Sequence, residues 1–171
     1  MLAAAAAVQA AAAGGPVGTR LPVLRATALD GTSVVLPDSA AGRVTLIGFG
    51  LKRQIHGEIV KWLDAYEFEF PDRGRYDCYE VPLMGGGPVK ALAGFINMMM
   101  RRRIPRHRHA RTLPYYQDYR KYAAALALDD PSKAYLFLLD PDGIIRWQVS
   151  GPVTAERQAG LMAVVVGLQR P

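Results

Sequence analysis

The order of hydrophobic and polar positions along the chain predicts strands and helices in alternation. Short apolar runs on both sides of Asp30-Gly31 predict a hairpin over residues 24–36, because Asp-Gly is a strong turn signal. The uninterrupted apolar run Val44–Gly50 has the length of a strand and predicts a central strand that is buried on both faces. Apolar side chains then recur at helical spacing over Gln54–Phe70, where a proline ends the pattern.

The second half of the chain continues the alternation. The predicted ranges are strand 76–83, helix 89–103, a basic proline-bounded loop 104–114, helix 115–128, hairpin 134–151 and helix 154–169. In the turn of the hairpin, Pro141 presets φ and Gly143 is free to adopt positive φ. Thr154 can cap the N-terminus of the last helix. A strand-helix-strand unit requires parallel pairing and the last hairpin adds antiparallel pairing. The pattern therefore predicts an α/β domain with a mixed central β-sheet flanked by helices on both faces.

Length and composition predict one domain after a short extension. The chain has 171 residues, of which 50% are hydrophobic and 21% are charged, as in a globular protein. Nine alanines crowd the first 13 residues, so we expect an alanine-rich N-terminal extension over 1–21 and the domain over 22–171. No acidic residue precedes Asp30, and Arg20 and Arg25 are the only arginines near the extension. This pattern favours an organellar targeting sequence over a bacterial secretory signal, which would need a positive charge near its start. No apolar run approaches the ~20 residues of a membrane span.

Charge is concentrated in one segment. The formal net charge is +6, and six arginines without any acidic residue lie between Arg101 and Arg111. The adjacent run Met98–Met100 must point in several directions around its helix, so at least one methionine faces away from the core. We expect anionic lipid headgroups or an acidic protein to bind here, and no nucleic acid, because RNA-binding signatures are absent. The predicted partner-binding residues are Met98, Met99, Met100, Arg101, Arg102, Arg103, Arg106, Arg108 and Arg111.

Several segments carry a resemblance to a known superfamily. LPVL, a D-G hairpin that ends in VVLP, AGRVTLIGF and YLFLLDPDGIIRW resemble the thiol-disulfide branch of the thioredoxin and peroxiredoxin superfamily. This resemblance implies a thioredoxin-like fold over about residues 22–169.

A narrower resemblance covers the second half of the chain. HARTLPYY, YRKYAAALAL and AYLFLLDPDGIIRWQVSG are similar to the mitochondrial ATP synthase assembly factor ten family. That similarity implies a non-enzymatic protein, peripheral to the mitochondrial inner membrane on its matrix side. Members of the family help a newly made hydrophobic subunit join the membrane sector of ATP synthase, and the resemblance transfers no catalytic residue.

The residues argue against thiol chemistry. A redox thioredoxin needs a thiolate at the N-terminus of the helix after its central strand, where the helix dipole lowers the thiol pKa. The corresponding segment Leu51–Gly57 contains no cysteine, and Ala134 occupies the place where such enzymes carry a proline. The only cysteine, Cys78, follows the helix, and we expect it to be a buried small hydrophobic residue.

No metal or cofactor is expected. His107 and His109 lie on the basic loop without cysteine or carboxylate ligands beside them, and His56 is isolated in the sequence. The run Gly85–Gly87 lacks the spacing of a phosphate-binding loop and predicts a flexible turn.

Three functions remain open at this level. The leading interpretation is a non-catalytic assembly factor that acts by protein-protein and membrane-surface contact. The alternative is a permanent accessory subunit of a respiratory or ATP synthase complex. An alanine-rich N-terminus is seldom ordered unless a partner chain covers it, so an ordered terminus would favour this alternative. The third is a thiol-disulfide or peroxiredoxin-like enzyme, which would depend on Cys78. The sequence leaves open whether Trp147 lies in the core or in an interface.

Overall fold

The structure is a computed structural model that describes residues 15–169. Its elements are β1 (Leu24–Thr27), β2 (Ser33–Leu36), β3 (Val44–Gly50), α1 (His56–Glu69), β4 (Tyr76–Pro82), α2 (Pro88–Ala91), α3 (Ala93–Arg103), α4 (Arg120–Ala125), β5 (Tyr135–Leu139), β6 (Ile145–Ser150) and α5 (Ala155–Leu168). A 3-10 helix, Arg106–Arg111, follows α3. None of the helices within 15–169 is long and apolar enough to cross a membrane.

Four strands form the central sheet in the order β4-β3-β5-β6. Strand β3 runs parallel to β4 and antiparallel to β5, and β5 pairs with β6 as an antiparallel hairpin. Strands β1 and β2 make a separate antiparallel ribbon. The predicted mixed sheet, the two hairpins and the buried central strand are confirmed.

Each face of the sheet carries its own apolar core. On one face α1 and α5 cover the sheet, and Trp62, Tyr66 and Leu161 are fully buried there. On the other face the β1-β2 ribbon and α4 pack around Phe49 and Phe137. The three-layer arrangement follows from strands that are apolar on both sides, because each face must be shielded from water.

Helix α1 approaches β3 closely because the strand presents two glycines to it. A Cβ atom added at Gly48 would overlap Cγ2 of Ile59, and one added at Gly50 would lie 2.9 Å from Cδ1 of Ile59. The side chain of Ile59 therefore occupies the space that larger residues on β3 would fill. This contact fixes the depth and direction of the N-terminal half of α1.

The β5-β6 hairpin is stabilised by a buried aspartate. Asp140 accepts hydrogen bonds from the backbone N–H groups of Asp142 and Ile144 and from Nε of Arg146, at 3.0, 2.9 and 2.6 Å. Gly143 has φ of 78°, as the turn predicted. Within β6, Trp147 is half-buried and packs edge-to-face on Trp62, with ring centroids 5.8 Å apart. Trp147 thus contributes to the core under α5.

The described part of the predicted N-terminal extension pairs with this hairpin. The N–H of Gly18 donates to the carbonyl of Ile145, and the N–H of Leu21 donates to that of Gly143. Leu21 is buried. Most of the alanine-rich extension, residues 1–14, lies outside the described residues, and the predicted boundary at residue 22 stays a prediction.

The predicted helix 115–128 is wrong over its first five residues. The chain from Thr112 to Tyr115 is extended and bridges to β4, where the N–H of Tyr115 donates to the carbonyl of Pro82. These hydrogen bonds to the sheet compete with helix formation, so α4 begins only at Arg120. Residues 106–111 of the predicted loop form the 3-10 helix, and the predicted helix 89–103 is divided at Leu92 into α2 and α3.

Replacing Gly48 with alanine should lower the free energy of unfolding by about 1 to 3 kcal/mol, because the new methyl group overlaps Ile59. The matched control is Gly57→Ala on α1, where an added Cβ meets no atom within 4 Å. That change should leave the free energy of unfolding unchanged or raise it by up to about 1 kcal/mol. Urea denaturation followed by circular dichroism measures both; equal stabilities would contradict the close packing of α1 on β3.

Candidate functional site

A groove of about 630 Å³ opens at the carboxyl ends of β3 and β4. One wall is the start of α1 with the preceding residues 51–55, and the other wall is α3. Its lining is mostly apolar and includes Leu51, Ile59, Leu83, Met84, Phe95, Ile96, Met99, Met100 and Ile104. The carboxyl end of parallel strands is where open α/β sheets commonly bind ligands, so this groove is the candidate site.

An ion pair between a buried carboxylate and a partly exposed imidazole lies in the groove. Glu80 on β4 is only 3% exposed, and its carboxylate contacts Nδ1 of His56 at the first turn of α1. This hydrogen bond raises the pKa of His56, against the opposing effects of burial and of the positive charge of Arg108. The imidazole therefore supplies the partner that a buried carboxylate needs.

The cationic side chains around the groove are exposed. Lys52 and Arg53 precede α1, and Arg103 ends α3; all three side chains line the groove. Within the part of the chain that the structure describes, none of the three is within ion-pair distance of a carboxylate. These charges are available to an anionic ligand.

Helix α3 is held by a few polar anchors, and none of its residues is buried. The hydroxyl of Tyr116 donates to Oδ1 of Asn97 at 2.8 Å, and Nε of Arg101 donates to the carbonyl of Leu29. The buried Ile104 follows its last turn. Because the helix is tied at these points without sinking into the core, space remains between it and α1.

The nine predicted partner-binding residues separate into three groups. Met99, Met100 and Arg103 line the groove. Met98, Arg101, Arg102 and Arg106 line a second, open pocket of about 440 Å³ together with His109, on the side of α3 that faces Leu29 and Asp30.

The third group, Arg108 and Arg111, forms ion pairs within the domain. Arg108 pairs with Asp64 and lies 3.6 Å from a carboxylate oxygen of Glu67, both on α1. Arg111 donates from Nε to the buried carboxylate of Asp77 at 2.8 Å. Among the described residues, two of the nine thus form intramolecular ion pairs, and the binding role of the set stays a prediction.

Cys78 is buried, as expected, and lies away from the start of α1. Its thiol donates to Oε1 of Glu67 at 3.0 Å. Burial raises the pKa of Cys78, and the negative charge of Glu67 raises it further. Such a thiol is poor in thiolate, which is the reactive form. Among residues 15–169, no group of three or more histidine, cysteine, aspartate or glutamate side chains could hold a metal ion.

Comparison with known proteins finds a family model that matches the second half of the chain. Residues 87–168 match the ATP10 protein family. The match spans α2 to α5 and includes α3, the wall of the groove that carries the methionines. No curated protein matches the chain. The resemblance to this family, drawn from the sequence, is confirmed.

The solved structures establish the fold. A putative thiol:disulfide interchange protein DsbE from Chlorobium tepidum is similar at a TM-score of 0.62 and 15% identity, over 91% of this chain and 99% of that one. A putative protein disulfide isomerase from Bacteroides thetaiotaomicron gives 0.62 and 16%, over 91% and 92%. BsSco, a member of the Sco family of cytochrome c oxidase assembly proteins, gives 0.58 and 13%, over 90% and 95%. The thioredoxin-like fold is confirmed.

Several groove residues escaped the sequence interpretation. Lys52, Arg53, His56 and Glu80 come from two segments that are brought together only by parallel pairing of β3 and β4. One signal was present in the strand itself: Glu80 interrupts an otherwise apolar face at the end of YDCYEVPL. A charged residue at a buried strand position indicates a partner across the fold.

We expect His56 to titrate above the ordinary histidine pKa of about 6.5, and Glu80→Gln to lower that pKa. Because the folded-state pKa is raised, the imidazolium stabilises the fold fully below the unfolded-state pKa, and this contribution is lost as pH rises through the folded-state value. The NMR titration of the His56 ring protons measures the shift directly. An unchanged pKa in Glu80→Gln would show that the pair does not form in solution.

Proposed function

We propose that this chain is a non-catalytic ATP synthase assembly factor that acts by protein-protein and membrane-surface contact. Its place would be the matrix side of the mitochondrial inner membrane, as a peripheral protein. Support comes from the ATP10 family match over residues 87–168, since that family implies assembly of the ATP synthase. The structural neighbours include oxidoreductases, so the case against catalysis rests on the residues of this chain.

The observation that carries the proposal is the chemistry at the start of α1. Thiol-disulfide enzymes need an activated cysteine at this point of the fold. Here Arg53 and Gln54 lead into His56, whose imidazole is engaged with Glu80. The one cysteine, Cys78, lies on β4 with a raised pKa. The position therefore offers charge and apolar surface to a partner, and no nucleophilic sulfur.

The surface around α3 supports membrane contact. No acidic residue occurs between Glu80 and Asp118, whereas this interval contains seven lysines and arginines. Large apolar side chains are also exposed here: Val89, Leu92, Phe95 and Met98. Exposed apolar side chains on a basic helix are typical of segments that lie in the interface of an anionic membrane.

The alternative of a permanent accessory subunit makes a different prediction about stoichiometry. An assembly factor should be absent from the mature ATP synthase, whereas a subunit should be present at a fixed ratio. Native gels followed by mass spectrometry of the purified complex separate the two. Comigration with the mature complex at constant ratio would replace the assembly-factor proposal with the subunit.

Cys78→Ser should retain full function, because the smaller hydroxyl can keep the hydrogen bond to Glu67 and no thiol chemistry is required. The test is complementation of cells that lack this protein, scored by the amount of assembled ATP synthase on native gels. A folded Cys78→Ser protein that fails to restore assembly would contradict a non-catalytic role.

Arg102→Glu combined with Arg106→Glu should weaken binding to vesicles of equal parts phosphatidylcholine and phosphatidylglycerol. Each arginine near an anionic surface contributes ~1 kcal/mol, so we expect affinity to fall by about 30-fold or more. Neither side chain pairs with a carboxylate in the described structure, so the fold should persist.

The matched control is Arg25→Glu with Arg75→Glu, which makes the same change in net charge at exposed positions outside α3 and the basic residues that follow it. Arg75 lies at the amino end of β4, opposite the end where the groove opens. Co-sedimentation with the vesicles at low salt measures the affinity of the unchanged protein, of the Arg102 and Arg106 variant and of this control. If the control loses as much affinity as the α3 variant, net charge alone drives binding and the basic surface has no special role.

A further inference from the structure

We infer that the groove between α1 and α3 binds one acyl chain of an anionic phospholipid, with the lipid phosphate held by Lys52, Arg53 and Arg103. The inference rests on the proposed membrane contact and deepens it, because it assigns a specific lipid site beside the surface that meets the membrane. This site is not the set of nine residues predicted from the sequence. Two of its cations, Lys52 and Arg53, come from the segment before α1 and are not among the nine.

The apolar lining suits a hydrocarbon chain. Aliphatic and thioether side chains from both walls dominate the groove, among them Leu51, Ile96, Met99 and Met100. Its volume of about 630 Å³ lies within the range of ligand-binding cavities. Methionine side chains adapt their shape to flexible apolar ligands, and here two of them form one wall.

The charges around the groove require an anionic head. Lys52, Arg53 and Arg103 have no carboxylate partner within the described residues, whereas the one carboxylate among the groove residues, Glu80, is buried and engaged with His56. A ligand at the mouth therefore meets uncompensated positive charge. Arginine and lysine together bind a phosphate group through charge-assisted hydrogen bonds.

The backbone around the groove disfavours an extended peptide as the occupant. A peptide would bind most simply by adding a strand to the outer edge of β4, which is the terminal strand of the sheet. That edge is already occupied: the N–H of Leu113 donates to the carbonyl of Glu80 at 2.8 Å, and the N–H of Tyr115 donates to that of Pro82 at 2.9 Å. An acyl chain needs no backbone partners and fits the space that remains.

The groove is continuous with the exposed face of α3. Phe95 lines the groove and is also 62% exposed, and the 59% exposed Leu92 lies three residues before it on the α2-α3 segment. When this face lies on a bilayer, a lipid chain can move into the groove past Phe95 without crossing water. The same surface would thus serve for contact and for selection of an anionic lipid.

The test is equilibrium dialysis of the full chain against radiolabelled palmitoyl lysophosphatidylglycerol below its critical micelle concentration. We expect saturable binding of one lipid per chain. Palmitoyl lysophosphatidylcholine should bind at least about tenfold more weakly, because its head carries no net charge. Glycerol 3-phosphate should not compete, because it lacks the acyl chain; effective competition by it would identify a phosphate site and overturn the inference.

Two neighbouring methionines provide matched variants. Met99→Glu places a carboxylate in the apolar groove and should reduce affinity for the lysolipid by about 30-fold or more. Met98→Glu makes the same change one residue away, on the side of α3 that lines the second pocket, and should change affinity by less than about fivefold. Circular dichroism and the melting temperature confirm that both variants fold; if Met99→Glu does not fold, Arg103→Glu tests the groove in its place.

The remaining outcomes separate this inference from the proposed function. Equal effects of Met98→Glu and Met99→Glu, or no preference for the anionic lysolipid, would overturn the lipid site while vesicle binding and complementation stand unaffected. An amphipathic peptide of leucine and glutamate that displaces the lipid at a lower concentration than unlabelled lysophosphatidylglycerol would identify a protein-binding groove and also overturn it. Loss of complementation by a folded Cys78→Ser protein would instead refute the non-catalytic function alone.

Discussion

The close packing of α1 against β3 is the contact on which the candidate site depends. Gly48 and Gly50 leave room for Ile59, and α1 therefore lies nearer to the sheet than any larger residue would permit. This depth brings His56 to Glu80 on the neighbouring strand, because Glu80 is paired in register with Gly48. It also sets the floor of the groove. A helix held farther from the sheet would separate the buried carboxylate from its only described side-chain partner.

The same end of the sheet illustrates how one fold can support different chemistry. The solved structures that resemble this chain include thiol-disulfide proteins. At 11 to 18% sequence identity, that likeness concerns the fold alone. In this chain the start of α1 carries cations and an imidazole. Function follows from the groups that a site presents, whatever the scaffold. The proposed function and the proposed lipid site both rest on these groups.

The basic segment shows that similar residues in one stretch of sequence can have separate roles. Arg111 and Arg43 both pair with the buried Asp77, which ties the 3-10 helix to the sheet. Arg108 ties it to α1. Arg102 and Arg106 carry exposed charge on the surface of α3 and the residues that follow it. The first set fixes the position of this surface, and the second set is available to a partner.

The sequence by itself determined the strands, the turns and the caps, because these depend on neighbours close in the chain. The alternation of elements, the Asp140 turn and the cap at Thr154 are of this kind. Tertiary structure decided the rest: residues 112–115 joined the sheet edge, and the groove formed between segments that are distant in sequence. Arg111 meets Asp77 across 34 residues and Arg108 meets Asp64 across 44. No local pattern encodes such a pairing, since it depends on where the whole fold places each carboxylate.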